Sequence, residues 1–112
     1  MNINLLVPAP THCEPFRRNS ERFVPENSGC YVLTTFSRTV LYVGLADNLR
    51  RRMNDHLSSP IKTSETELGR AVLFHWIEGS DTNKIERTWM NTHIEHEGIL
   101  PLLNKMYSPT PT

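Results

Sequence analysis

Two tyrosines eleven positions apart, Tyr31 and Tyr42, are followed by three consecutive arginines, Arg50, Arg51 and Arg52, and then by His56 four positions beyond Arg52. A phenol can give or take a proton, a guanidinium is a permanently charged fork that matches phosphate oxygens, and an imidazole can hydrogen-bond to either. Together they suit chemistry on a phosphate ester, with a phenol as the base, because a phenol at a cationic site loses its proton more easily. Either tyrosine could take that part, and Tyr42, lying just before Gly44 and the turn into the arginine helix, is expected to show the larger effect when substituted. Each residue also has a plainer use: sheet tyrosines fill cores with their hydroxyls satisfied, and a helical histidine commonly serves structure.

The elements that must carry these groups are legible. Cys30–Phe36 and Thr39–Val43 are β-branched and aromatic runs joined by the short Ser37-Arg38 link, a hairpin signal that lacks the usual Asn-Gly turn. Asp47 is placed to N-cap a helix with the stripe Leu49, Met53 and Leu57, ending before Pro60. Arg52 and His56 border that stripe, which predicts that Arg52 points toward the sheet. Residues 58–69 are polar, with room for one short helix. Ala71–Ile77 is apolar enough for a central strand. A second helix is predicted from Ser80 or Asp81 to Glu97, with Ile85, Trp89 and Met90 inward and Gly98 as its stop. The apolar run from Ile99 to Leu103, closed by Asn104, must pack on the body. Strand, strand, helix, strand, helix implies a small α/β sandwich with at least one antiparallel pair.

Gly29-Cys30-Tyr31, Tyr42-Val43-Gly44, Asn48 to Arg52 with His56, Ile85 to Trp89, and Leu100-Pro101-Leu102-Leu103-Asn104 occur in an order that resembles the GIY-YIG nuclease superfamily. The resemblance implies an α+β sandwich with a three-stranded antiparallel sheet flanked by helices. It also implies a metal-dependent DNA endonuclease leaving a 5′-phosphate and a 3′-hydroxyl. Tyr31, Tyr42, Arg52, His56, Glu86 and Asn104 fall on the catalytic pattern, with Glu86 as ligand for one Mg2+ or Mn2+ and Asn104 as a closing brace. Hard divalent ions take oxygen ligands and often keep several waters around a single carboxylate, which suits Glu86. Gly44, Arg50, Arg51 and Lys62 are expected on the nucleic-acid contact surface. Leu45 stands where the family often has a polar residue, and the eighteen positions from Glu86 to Asn104 are a long step for the pattern.

At 112 residues the chain is one domain. Area scaling gives a folded surface of roughly 6,300 Å², so about two-thirds of the unfolded surface can be buried and a core forms without staples. Four prolines lie before residue 27, and Pro109 and Pro111 near the end. These divide the chain into an extension at 1–27, a domain at 28–107 and a tail at 108–112. Twelve basic and twelve acidic residues cancel, yet residues 17–62 hold eight basic against four acidic, and residues 63–112 four against seven. A basic half beside an acidic half fits a phosphate-facing surface next to a metal-binding carboxylate, or plain attraction within the fold. Neutrality overall gives little non-specific hold on DNA, and no helix-turn-helix, zinc finger or basic arm is legible, so specificity would come from a homodimer, a DNA-targeting protein partner, or a branched or damaged substrate. The competing reading is a catalytically weak nucleic-acid or protein-binding module on the same fold.

No apolar run approaches the ~18 residues of a membrane span, and Asn2–Pro8 lacks a basic, signal-like lead. A cytoplasmic location without membrane association is expected. Cys13 and Cys30 are expected as free thiols, and the spacing of His93 and His96 is not that of a zinc metalloprotease.

Overall fold

A computed structural model describes residues 1–107; the expected tail at 108–112 lies outside the described residues. Strands β1 (His12–Pro15), β2 (Gly29–Thr34), β3 (Val40–Ala46) and β4 (Leu73–Glu78) form one antiparallel sheet in the order β1-β4-β2-β3. Helices α1 (Leu49–Leu57), α2 (Pro60–Thr63), α3 (Asn83–Glu97) and α4 (Leu102–Tyr107) cover it.

Among the described residues the sheet has four strands, not the three that the family resemblance implied. The additional strand, β1, comes from the segment expected to run as a surface extension, and it pairs with β4 from His12 against Trp76 to Pro15 against Leu73. It is hard to see in sequence because His12-Cys13-Glu14-Pro15 has no apolar alternation. As an edge strand it tolerates a proline, whose missing N–H need not pair. The apolar β4 is thereby an inner strand, as its composition requires.

In the β2–β3 hairpin, Tyr31 lies opposite Gly44 and Leu33 opposite Tyr42. The register then shifts so that Thr34 pairs with Val40. Leu41 is left between the pairs, and both Leu41 and Tyr42 enter the same core. The turn uses Arg38 at φ 70°, a left-handed conformation more often given to Gly or Asn.

Alternation along the strands builds two layers. Tyr31, Leu33, Phe74 and Trp76 face Leu49 and Met53 of α1, with Phe16, Val24 and Leu103 closing that core. Cys30, Val32 and Val43 face Trp89 of α3, with Ile3 and Leu6 beneath. Trp89 donates its indole N–H to the Pro8 carbonyl at 2.9 Å. Residues before 28 therefore belong to both cores. The cap of α1 is Asn48, not Asp47: its side chain accepts the Arg51 N–H at 3.0 Å. Gly98 ends α3 at φ 77°, as expected. The solvent-accessible surface is 6376 Å², close to the value the mass implies. Among the described residues, no helix is long and apolar enough to cross a membrane.

Candidate active site

The β2–β3 pair and α1 bring Tyr31, Tyr42 and His56 together. The Tyr31 hydroxyl oxygen lies 2.6 Å from Nε2 of His56. The Tyr31 and Tyr42 ring centroids are 5.9 Å apart, and the His56 ring meets Tyr42 edge-on at 5.1 Å. Phe74 stacks on Tyr31 at 5.2 Å and fixes its ring from below. All three polar rings are buried. Burial, reinforced by the charges of Lys62 and then Arg52, pushes the His56 pKa down to about 3, so the imidazole is neutral at pH 7.

Lys62 was expected on the DNA-contacting surface, yet its side chain is 0% exposed. Its ammonium lies 3.3 Å from Nδ1 of His56 and 4.3 Å from the Tyr42 ring centroid. Burial and the nearby Arg52 bring its pKa down to about 8. Ser59 caps the single turn of α2 and Pro60 opens it, which aims Lys62 inward. A lysine in a polar stretch carries no local signal of burial.

The arginines separate by role. Arg52 does not turn into the sheet as predicted: its side chain is 44% exposed and lies 4.0 Å from Asp55. It sits close enough for its charge to act on His56 and Lys62, which puts it at the rim of the ring cluster. Arg50 is committed elsewhere, to the carbonyls of Val24 and Arg22 and to Glu26. It ties α1 to the segment before β2. Arg51 is exposed.

Gly44, also expected at the DNA contact, is buried and faces the Tyr31 ring. Leu45 is 40% exposed. Asn104 holds the edge of β3, its amide accepting the Val43 N–H and donating to the Val43 carbonyl, both at 2.9 Å. Glu86 lies in the first turn of α3, the helix of the opposite layer. That helix packs on the face of the sheet opposite the phenols, so the packing does not bring the carboxylate together with the Tyr31–Tyr42–His56 cluster. Glu86 is half-buried, and desolvation raises its pKa, an effect that Arg87 partly offsets. Its charge reaches Cys30, whose thiol burial pushes up to about 12. Cys30 is packed in the core, and His93 uses Nδ1 on the Ile99 carbonyl at 2.7 Å.

The model of the GIY-YIG catalytic domain family matches residues 27–98. Three curated proteins are similar to parts of the chain. UvrABC system protein C of Methanococcus maripaludis is 39% identical over 44 residues, which are 39% of this chain and 8% of that protein. The proteins of the same name from Lactobacillus helveticus and Lactobacillus acidophilus are each 32% identical over 66 residues, 59% of this chain and 11% of theirs. The chain therefore spans only a small fraction of these relatives. Both β1 and Asn104 lie outside the matched residues.

Proposed function

The chain belongs to the GIY-YIG catalytic domain family, and from that nuclease-type membership we propose that it is a metal-dependent DNA endonuclease with Tyr31 as general base. The observation that carries this reading is the 2.6 Å contact between the Tyr31 hydroxyl and His56, set against the Tyr42 ring. With the imidazole N–H on Nε2, this contact donates to the phenol oxygen and favours its charged form. In the reaction the Tyr31 phenolate takes a proton from water, the resulting hydroxide attacks phosphorus, and the bond to the 3′ oxygen breaks as that oxygen takes up a proton from solvent. Arg52, exposed at the rim, meets the non-bridging oxygens with its fork. Tyr42 walls the site beside Tyr31, and Asn104 holds the strand that bears Tyr42 and Gly44.

Glu86 offers the oxygen donor a hard cation takes, on a half-buried carboxylate of α3 across the sheet from the phenols. It would hold one Mg2+ or Mn2+, which when bound supplies charge to stabilise the leaving oxygen.

The test is nicking of supercoiled DNA with and without Mg2+, by the parent protein and by Tyr31→Phe. Metal-dependent nicking lost in the variant supports the proposal. DNA binding with no cleavage in any divalent ion would point to the binding-module reading.

A further inference from the structure

Lys62 is an ionisable side chain with no exposed surface, held against the base cluster by two separate contacts. We propose that Lys62 is a positioning residue that locks His56 in the Nε2–H tautomer, so that the imidazole donates to Tyr31 and cannot accept the phenol proton. This rests on the reading of Tyr31 as the base.

The logic is a count of protons. An ammonium has donors and no lone pair, so at 3.3 Å from Nδ1 it requires Nδ1 to be the acceptor. A neutral imidazole carries one N–H, which must then sit on Nε2, 2.6 Å from the Tyr31 oxygen. That oxygen accepts the bond and directs its own proton elsewhere. With the other tautomer, Nε2 would accept from Tyr31 and hold the phenol in its protonated, inactive form. The ionisation states agree, since His56 is neutral and Lys62 is still largely charged at pH 7. Contact with the Tyr42 ring supplies a second attraction that keeps the ammonium in place. A buried lysine that bears on both tyrosines and the histidine is thus a part of the site's hydrogen-bond order, although it has no surface from which to touch substrate.

The decisive measurement is the tautomer of His56, read from its imidazole nitrogen shifts by NMR on the intact chain at pH 7. A protonated Nε2 and a hydrogen-bonded, unprotonated Nδ1 are expected; a protonated Nδ1 would overturn the proposal whether or not the protein cuts DNA. Lys62→Met, which keeps the stem and removes the donor, should release the tautomer to a mixture. It should also lower kcat by roughly 10–10²-fold, the common cost of losing an outer partner of a functional histidine, with KM within about twofold. An unchanged His56 spectrum in folded Lys62→Met would equally overturn it. Should that variant not fold, the tautomer in the parent protein still decides. If the parent shows the expected tautomer and never nicks DNA, the nuclease reading fails and the Lys62–His56 lock stands.

Discussion

Gly44 faces Tyr31 across the β2–β3 pair, and a single carbon added at position 44 would overlap both the phenol ring and its hydroxyl oxygen. The hydroxyl reaches His56 over a strand kept bare at that point. Gly44→Ala should therefore push Tyr31 off His56, lowering the nicking rate by about 10²-fold or more. It should also cost about 1–3 kcal/mol of stability through overpacking. Nicking rate and denaturant midpoint, measured on the same sample, check both; a parental rate in Gly44→Ala would show that the Tyr31–Gly44 contact does not govern the site.

The two tyrosines should now be unequal in the opposite sense to that suggested by sequence. Tyr31→Phe removes the oxygen bonded to His56, and hydrolysis should fall by ~10²–10⁴. Tyr42→Phe keeps the ring that contacts Lys62 and His56, so its loss should be smaller. Single-turnover rates at saturating DNA compare them; a larger loss in Tyr42→Phe would move the base to Tyr42.

Among the arginines, Arg52→Lys keeps charge and loses the planar fork, with an expected fall in cleavage of roughly 10–10³-fold and little change in stability. Arg50→Ala should act on stability instead, by about 1–3 kcal/mol, because it removes a charged donor to two carbonyls. Arg51→Ala should mainly weaken DNA binding and flatten its salt dependence. Salt-dependent binding isotherms and thermal melts separate the three; an Arg50→Ala protein as stable as its parent would contradict the tie to Val24 and Arg22.

Acid should destabilise the fold. Burial lowers the pKa of His56 to about 3 and of His75 to about 4, and lowers that of His93 as well. Unfolded histidines titrate near ~6.5. Between that value and the folded ones the unfolded chain binds more protons, so stability falls as pH drops, by up to about 1.4 kcal/mol per pH unit for each histidine fully engaged. The melting temperature should decline steadily from pH 7 to pH 5, and a flat profile over that span would show that these imidazoles are not held neutral.

Metal dependence should run through Glu86. EDTA should abolish nicking, and Glu86→Ala should lose activity while melting within a few degrees of the parent, since the half-buried carboxylate carries a desolvation cost and little packing. Full activity in Glu86→Ala would remove this residue from the site.

The hairpin, the α1 stripe and the Gly98 stop were legible because each is written in local periodicity or turn chemistry. So was the approach of the Tyr31 and Tyr42 rings on one face of the sheet, which follows from strands that run in succession. β1 was hidden because its partner, β4, lies some sixty residues away and its own four residues carry no pattern. Lys62 was misread for a related reason: a buried cation is set by what surrounds it, here His56 and Tyr42, and nothing in Pro60-Ile61-Lys62-Thr63 reports those neighbours. Arg52 was given the wrong direction because an arginine beside an apolar stripe can lay its stem inward and still carry its head outward.

The Asn104 amide, bonded to both the N–H and the carbonyl of Val43, behaves as a strand one residue long. Met1 does similar work nearer the start of β3, where its carbonyl accepts the Val40 N–H. An incoming strand from another chain would have to displace these plugs before it could add to this edge, which guards against edge-to-edge association. The amide of Val43 also becomes a gauge: its hydrogen exchanges with solvent only when α4 lets go. The lifetime of that one proton measures how often the backing of Tyr42 and Gly44 is withdrawn.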